Sequence, residues 1–112
     1  MNTTDASALE NINFDGEGFL TDPTEWNRDV AHALAQKNGV GHLTALHWRA
    51  IDYVREHYFA HHTLPVARVL CHELGADKHC MTDLFGHDLA PLWRIAGLPN
   101  PGEEALVYVH NL

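Results

Sequence analysis

Thr44-Ala45-Leu46-His47-Trp48-Arg49-Ala50-Ile51-Asp52-Tyr53-Val54-Arg55-Glu56-His57-Tyr58-Phe59-Ala60 reads as one amphipathic helix. Trp48, Ile51, Val54 and Tyr58 recur at three- and four-residue intervals, with Tyr53 beside them, which is the spacing of one helical face. Thr44 is a natural N-cap, because its hydroxyl can accept from a backbone N–H that the helix leaves open. His47, three residues after that cap, is expected to have a capping or packing role. Thr63-Leu64-Pro65 breaks the chain after this helix, since proline disfavours a helical residue before it and opens a new helix after it.

Working outward from this helix, the chain reads as mainly α. A third helix is expected over Val66 to Leu74, stopped by Gly75. A short one is expected over Met81–Phe85, and a last one over about Leu89 to Ala96, before Gly97 and Pro99. Upstream, Asp22-Pro23-Thr24-Glu25 has the form of a helix start, with Asp22 as cap and Glu25 completing a capping box. Trp26, Val30, Ala33 and Leu34 then follow at helical spacing until Asn38-Gly39. Ile12 to Leu20 carries apolar residues on both sides of a glycine-rich turn, which predicts a short β-hairpin. Residues 1–11 are polar and expected to be disordered. Glu103 to Leu112 is acidic and then apolar, and reads as strand-like. No internal repeat or interdomain linker is present.

The chain has 112 residues and 46% apolar content, which suits one domain with a real core. No apolar run is long enough to span a bilayer, and the N-terminus lacks a signal-peptide pattern. A cytoplasmic location is therefore expected. The formal net charge is −8, whereas nucleic-acid binders usually carry a basic footprint. The helices flanking Thr63-Leu64-Pro65 nevertheless form a helix-turn-helix-like element whose second helix offers Arg68 and His72. Arg49, Arg55, Arg68, Lys78 and Arg94 would make a basic patch only by converging. Duplex DNA is thus an alternative partner that the charge opposes.

No nucleophile motif, phosphate loop or dinucleotide fingerprint appears, so neither an independent enzyme nor a cofactor is expected. Cys71-His72 and His79-Cys80 combine zinc's preferred ligand types, but their spacing matches no zinc module, and no metal is assigned. His57 and His61 share a helix face near its C-terminus, where a solvated cap is the ordinary role. Cys71 reads as a buried small hydrophobe. Cys80 stands beside His79 and Lys78, which would lower its thiol pKa if the site is exposed. A disulfide between the two is conceivable across the intervening turn, but a reducing compartment argues against it.

Four stretches resemble one family in order. They are Gly18-Phe19-Leu20-Thr21-Asp22 with Trp26; Leu43-Thr44-Ala45-Leu46-His47-Trp48 with Ile51, Arg55 and Tyr58; Pro65 with Arg68; and Leu84-Phe85 followed by Ile95-Ala96-Gly97-Leu98-Pro99-Asn100-Pro101. Together they look like the DsrC/TusE family of sulfur-relay proteins, over residues 12–104, with residues 105–112 as a C-terminal tail. The resemblance implies a small helical domain with an N-terminal hairpin and a helix-turn-helix-like element. It implies sulfur-transfer or sulfite-reductase-type proteins as partners, and no membrane. It also implies sulfur carried on a cysteine of a C-terminal arm, with a second cysteine upstream of the Ile-Ala-Gly-Leu-Pro stretch. Aligned on Ile95–Pro99, those positions hold Glu104 and Trp93. Neither side chain can form a persulfide. The resemblance therefore implies a regulator or adaptor that docks through Arg94, Ile95, Gly97, Leu98, Pro99 and Pro101 without carrying sulfur. The alternatives are a carrier that uses Cys80, with Cys71 as the other candidate thiol, and a DNA-binding regulator.

Overall fold

A computed structural model describes residues 8–63, 65–86, 89–102 and 105. Among the described residues, five α-helices follow a short 3-10 turn, Pro23–Glu25. They are α1 (Arg28–Lys37), α2 (Ala45–His61), α3 (Ala67–Glu73), α4 (Cys80–Phe85) and α5 (Ala90–Ile95). The mainly helical architecture expected from the sequence is the one observed. None of these helices is long and apolar enough to cross a membrane.

The expected hairpin is reduced to a single antiparallel bridge between Phe14 and Leu20. The Asp15 carboxylate takes over part of the work of a ladder by accepting from the N–H groups of Glu17 and Phe19, each at 2.9 Å. The start of the first helix also differs from the sequence reading. Asp22 does cap, but it caps the 3-10 turn, accepting from Thr24 N–H at 3.0 Å. The chain then leaves helical geometry at Trp26, and α1 begins afresh behind Asn27, whose side chain accepts from Val30 N–H at 2.9 Å. Trp26 is thereby freed from the helix. Residues 8–11, expected to be disordered, form a turn from which Ala8 and Leu9 pack on the core. Residues 1–7, and the tail from 103 onward apart from Ala105, lie outside the described residues.

The core is built around α5. Leu92, Trp93 and Ile95 are buried against Val30, Leu34, Ile51 and Val54 of α1 and α2. Removing this apolar surface from water is the main stabilising term for a domain of this size. On the outer face of α1 and α2, the Arg28 guanidinium lies 4.2 Å from the centre of the Trp48 ring. The His32 ring meets the same indole edge-on at 5.2 Å.

His47 ties α2 to α4. Its Nδ1 accepts from Thr44 N–H at 3.0 Å, which makes it the acceptor nitrogen. Nε2 therefore carries the proton and donates to the Leu84 carbonyl at 2.9 Å. The ring also stands edge-on to Phe85 at 5.1 Å. The capping and packing role expected for His47 is what the fold uses. Thr63 and Pro65 lie between α2 and α3, as expected, and Leu64 is outside the described residues. The packing partner of α3 is α4, which follows it.

Candidate functional site

Two places in the fold carry the residues that the sequence singled out. The first is the segment from Trp93 to Pro101. Trp26, released by the break before α1, donates from Nε1 to the Ile95 carbonyl at 2.8 Å. Arg55 reaches from α2 to donate to the Ala96 carbonyl at 2.7 Å. Its guanidinium carbon also sits 3.9 Å from the centre of the Trp26 ring. These two donors satisfy carbonyls that the end of a short helix leaves open. Burial pulls the Arg55 pKa below its ordinary value while nearby Asp52 pulls the other way, and a guanidinium stays charged under either influence.

Gly97 lies at the contact point. Its φ is +70°, and a Cβ built there would overlap the Trp26 indole. Only glycine meets both conditions. Trp93 is 1% exposed, donates from Nε1 to the Pro99 carbonyl at 2.7 Å, and meets Tyr58 edge-on at 5.7 Å. Arg94 donates to the Glu17 carbonyl at 2.9 Å and to Asn38 Oδ1 at 3.3 Å. Asn100 donates to the Asp15 carboxylate at 3.0 Å, closing the N-terminal turn over the segment. Residues from three of the four sequence stretches thus converge on one loop, and the signal for that convergence was their co-occurrence in order.

The burial pattern narrows the docking surface expected here. Ile95, Gly97 and Leu98 are buried, whereas Arg94, Pro99 and Pro101 are partly exposed. Glu104 lies outside the described residues. Of the five cations that would make a basic patch only by converging, Arg55 and Arg94 are engaged by the fold, since they hold backbone carbonyls.

The second place is the cysteine pair. Cys71 and Cys80 are joined by a disulfide, with Cα atoms 5.7 Å apart, and no described cysteine is free. The expectation of two separate thiols is therefore corrected. Cys71 is fully buried, as expected, and Cys80 is only 3% exposed, so it is not an exposed reactive thiol. The physical reason lies in the turn after α3. Gly75 adopts a φ of +69°, and Ala76 N–H bonds back to the Cys71 carbonyl at 2.9 Å. That reversal brings the start of α4 alongside α3 at a separation within the ordinary disulfide range. No cluster of three or more metal-ligating side chains exists among the described residues.

The family model described as DsrC like protein matches residues 7–103. The sulfurtransferase TusE homolog of Haemophilus influenzae is 35% identical over 100 residues, covering 82% of this chain and 91% of that protein. Sulfurtransferase TusE of Salmonella typhimurium is 35% identical over 98 residues, covering 80% and 89%. Among solved structures, the oxidized gamma-subunit of the dissimilatory sulfite reductase (DsrC) from Archaeoglobus fulgidus superposes with a TM-score of 0.70 at 31% identity, over 82% of this chain and 90% of that one. Dissimilatory sulfite reductase I (DsrI) gives a TM-score of 0.73 at 26% identity, over 82% and 89%. The shared fold, the match along nearly the whole described chain and the convergent motif residues agree: the chain belongs to the DsrC-like family.

Proposed function

We propose that this protein acts in sulfur relay as a docking regulator or adaptor that does not itself carry sulfur. The observation that carries the reading is the absence of a free described thiol, Cys71 and Cys80 being bonded to each other and buried. A sulfur carrier needs an accessible thiolate to accept a sulfane sulfur. Trp93, at the position where the family resemblance implies the upstream carrier cysteine, is instead a core side chain. Glu104 stands at the other implied position in the sequence.

Partners are proposed to be proteins of the sulfur-transfer or sulfite-reductase type, in keeping with the names of the relatives. The docking surface comprises Arg94, Pro99 and Pro101, the expected docking residues that keep partial solvent exposure. A DNA-binding role has weaker support, because Arg55 and Arg94 are already engaged and the net charge is −8.

Intact mass spectrometry after incubation with a persulfide-loaded donor protein tests the reading. The expected result is no sulfur adduct on the wild type. An adduct on Cys80 that can be passed to an acceptor, and that Cys80→Ser abolishes, would restore the carrier role. Affinity capture with purified sulfur-transfer proteins tests docking, and failure of all of them to bind would remove it.

A further inference from the structure

One groove has no lining residue from the Trp93–Pro101 segment. Val66, Arg68, Val69, His72, Ala76 and Lys78 line it, from α3 and the turn that follows. Val66 is 56% exposed and Val69 49% exposed, two of the three large apolar side chains left in solvent among the described residues. Val66 is the N-cap residue of α3, and Val69 lies in its first turn, three positions on.

The cations of the chain divide sharply. Of the 7 Lys and Arg residues, Arg28 and Lys37 lie over aromatic rings, and Arg55 and Arg94 hold backbone carbonyls. Arg49, Arg68 and Lys78 have no hydrogen-bond or ion-pair partner among the described residues. Two of those three stand in this groove with the exposed valines. In a chain of net charge −8, two unpaired cations stand beside two exposed valines in a groove that no carboxylate lines, which favours an acidic and partly apolar occupant.

We infer that this groove is a docking site for an acidic peptide segment of a partner protein, one that carries an aliphatic side chain next to its carboxylates. The aliphatic group covers Val66 and Val69, while Arg68 and Lys78 pair with the carboxylates. The exposed valines select such a peptide over nucleic acid, because they give a phosphate backbone nothing to bind. The Cys71–Cys80 bond links the helix that forms one wall to the end of the turn that forms the other, and so fixes the width of the groove. Reduction by a dithiol breaks the S–S bond. The electron pair and two protons pass to the cysteines, the reductant becomes a disulfide, and the turn is released.

The test is fluorescence anisotropy on the full oxidised chain with a fluorescein-labelled peptide, Glu-Leu-Glu-Glu-Val-Glu. Saturable binding is expected, falling about tenfold or more in the Arg68→Glu, Lys78→Glu double variant. Circular dichroism of that variant should match wild type, because both side chains are exposed. Peptides with Lys replacing Glu, or Ser replacing Leu and Val, should bind weakly or not at all. Equal binding of the control peptides, no saturable binding, or displacement by a DNA duplex would overturn the inference. Self-association that the double variant abolishes in sedimentation equilibrium would overturn it too, by assigning the groove to a second copy. Dithiothreitol should weaken peptide binding, and unchanged affinity would overturn the role given to the disulfide. None of these readouts depends on sulfur transfer, so the inference and the proposed function fail separately.

Discussion

The loop after α5 and the turn after α3 are built on similar sequence signals and end up unlike. Each follows a short helix, and each turns on a glycine with positive φ, Gly97 at +70° and Gly75 at +69°. Around Gly97, side chains from distant parts of the chain close in. Trp26, Arg55 and Trp93 each make a hydrogen bond to a carbonyl between Ile95 and Pro99. Around Gly75, a Cβ would meet nothing, and a covalent bond nine residues long in sequence closes the turn instead. One region is held by many mutually dependent contacts, the other by one bond with a solvent-facing groove beside it. The difference teaches where substitution is tolerated: the first region fixes the fold, and the second is free to vary its surface.

Substitutions can break this contrast. The largest expected effect is Trp93→Ala, which opens a cavity in the core and should cost about 4 kcal/mol in urea unfolding. Gly97→Ala should cost about 3 kcal/mol, from left-handed backbone strain together with the clash against Trp26. Gly75→Ala meets only the backbone strain and should cost about 1–2 kcal/mol. Equal costs at the two glycines would erase the distinction between the regions. Replacing both cysteines by serine, compared with oxidised wild type, should cost roughly 2–3 kcal/mol, the value expected from closing so short a loop in the unfolded chain. A change under about 0.5 kcal/mol would mean that the turn holds its shape without the bond.

The smallest effect sharpens the first region. Burial pushes the Asp15 carboxyl up, but hydrogen bonds from Phe19, Asn100, Glu17 and Gly18 outweigh it and bring its pKa below the ordinary 3.8. A lowered folded-state pKa adds stability above the unfolded value that is lost as pH falls through the folded one. Wild type should therefore lose more stability than Asp15→Asn between about pH 5 and pH 2. Parallel pH profiles for the two proteins would mean that the carboxylate contributes nothing beyond its shape.

Much of the fold was legible because its signals are local. Thr44 begins α2, Gly75 ends α3, and the apolar spacing between them needs no tertiary information. The start of α1 was misread because two good caps, Asp22 and Asn27, lie five residues apart. Only the packing of Trp26 decides that the first closes a 3-10 turn and the second starts the helix. The motif residues pointed to the right segment. They did not say that Ile95, Gly97 and Leu98 face inward, since an apolar run reads the same as core or as docking surface. In the sequence the disulfide is open to the turn's geometry and opposed by the expected compartment. The distance that decides it depends on a backbone reversal that spacing alone does not give.

The placement of the indoles has a practical side. The chain has 3 tryptophans, and each sits in a different setting. Trp93 is enclosed in the core, Trp26 is capped by a guanidinium over the Gly97 loop, and Trp48 lies at the α1–α2 surface beneath Arg28. With single-tryptophan variants that keep one indole and carry Phe at the other two positions, emission would resolve melting of the core, opening of the loop and loosening of the helix pair as separate optical events.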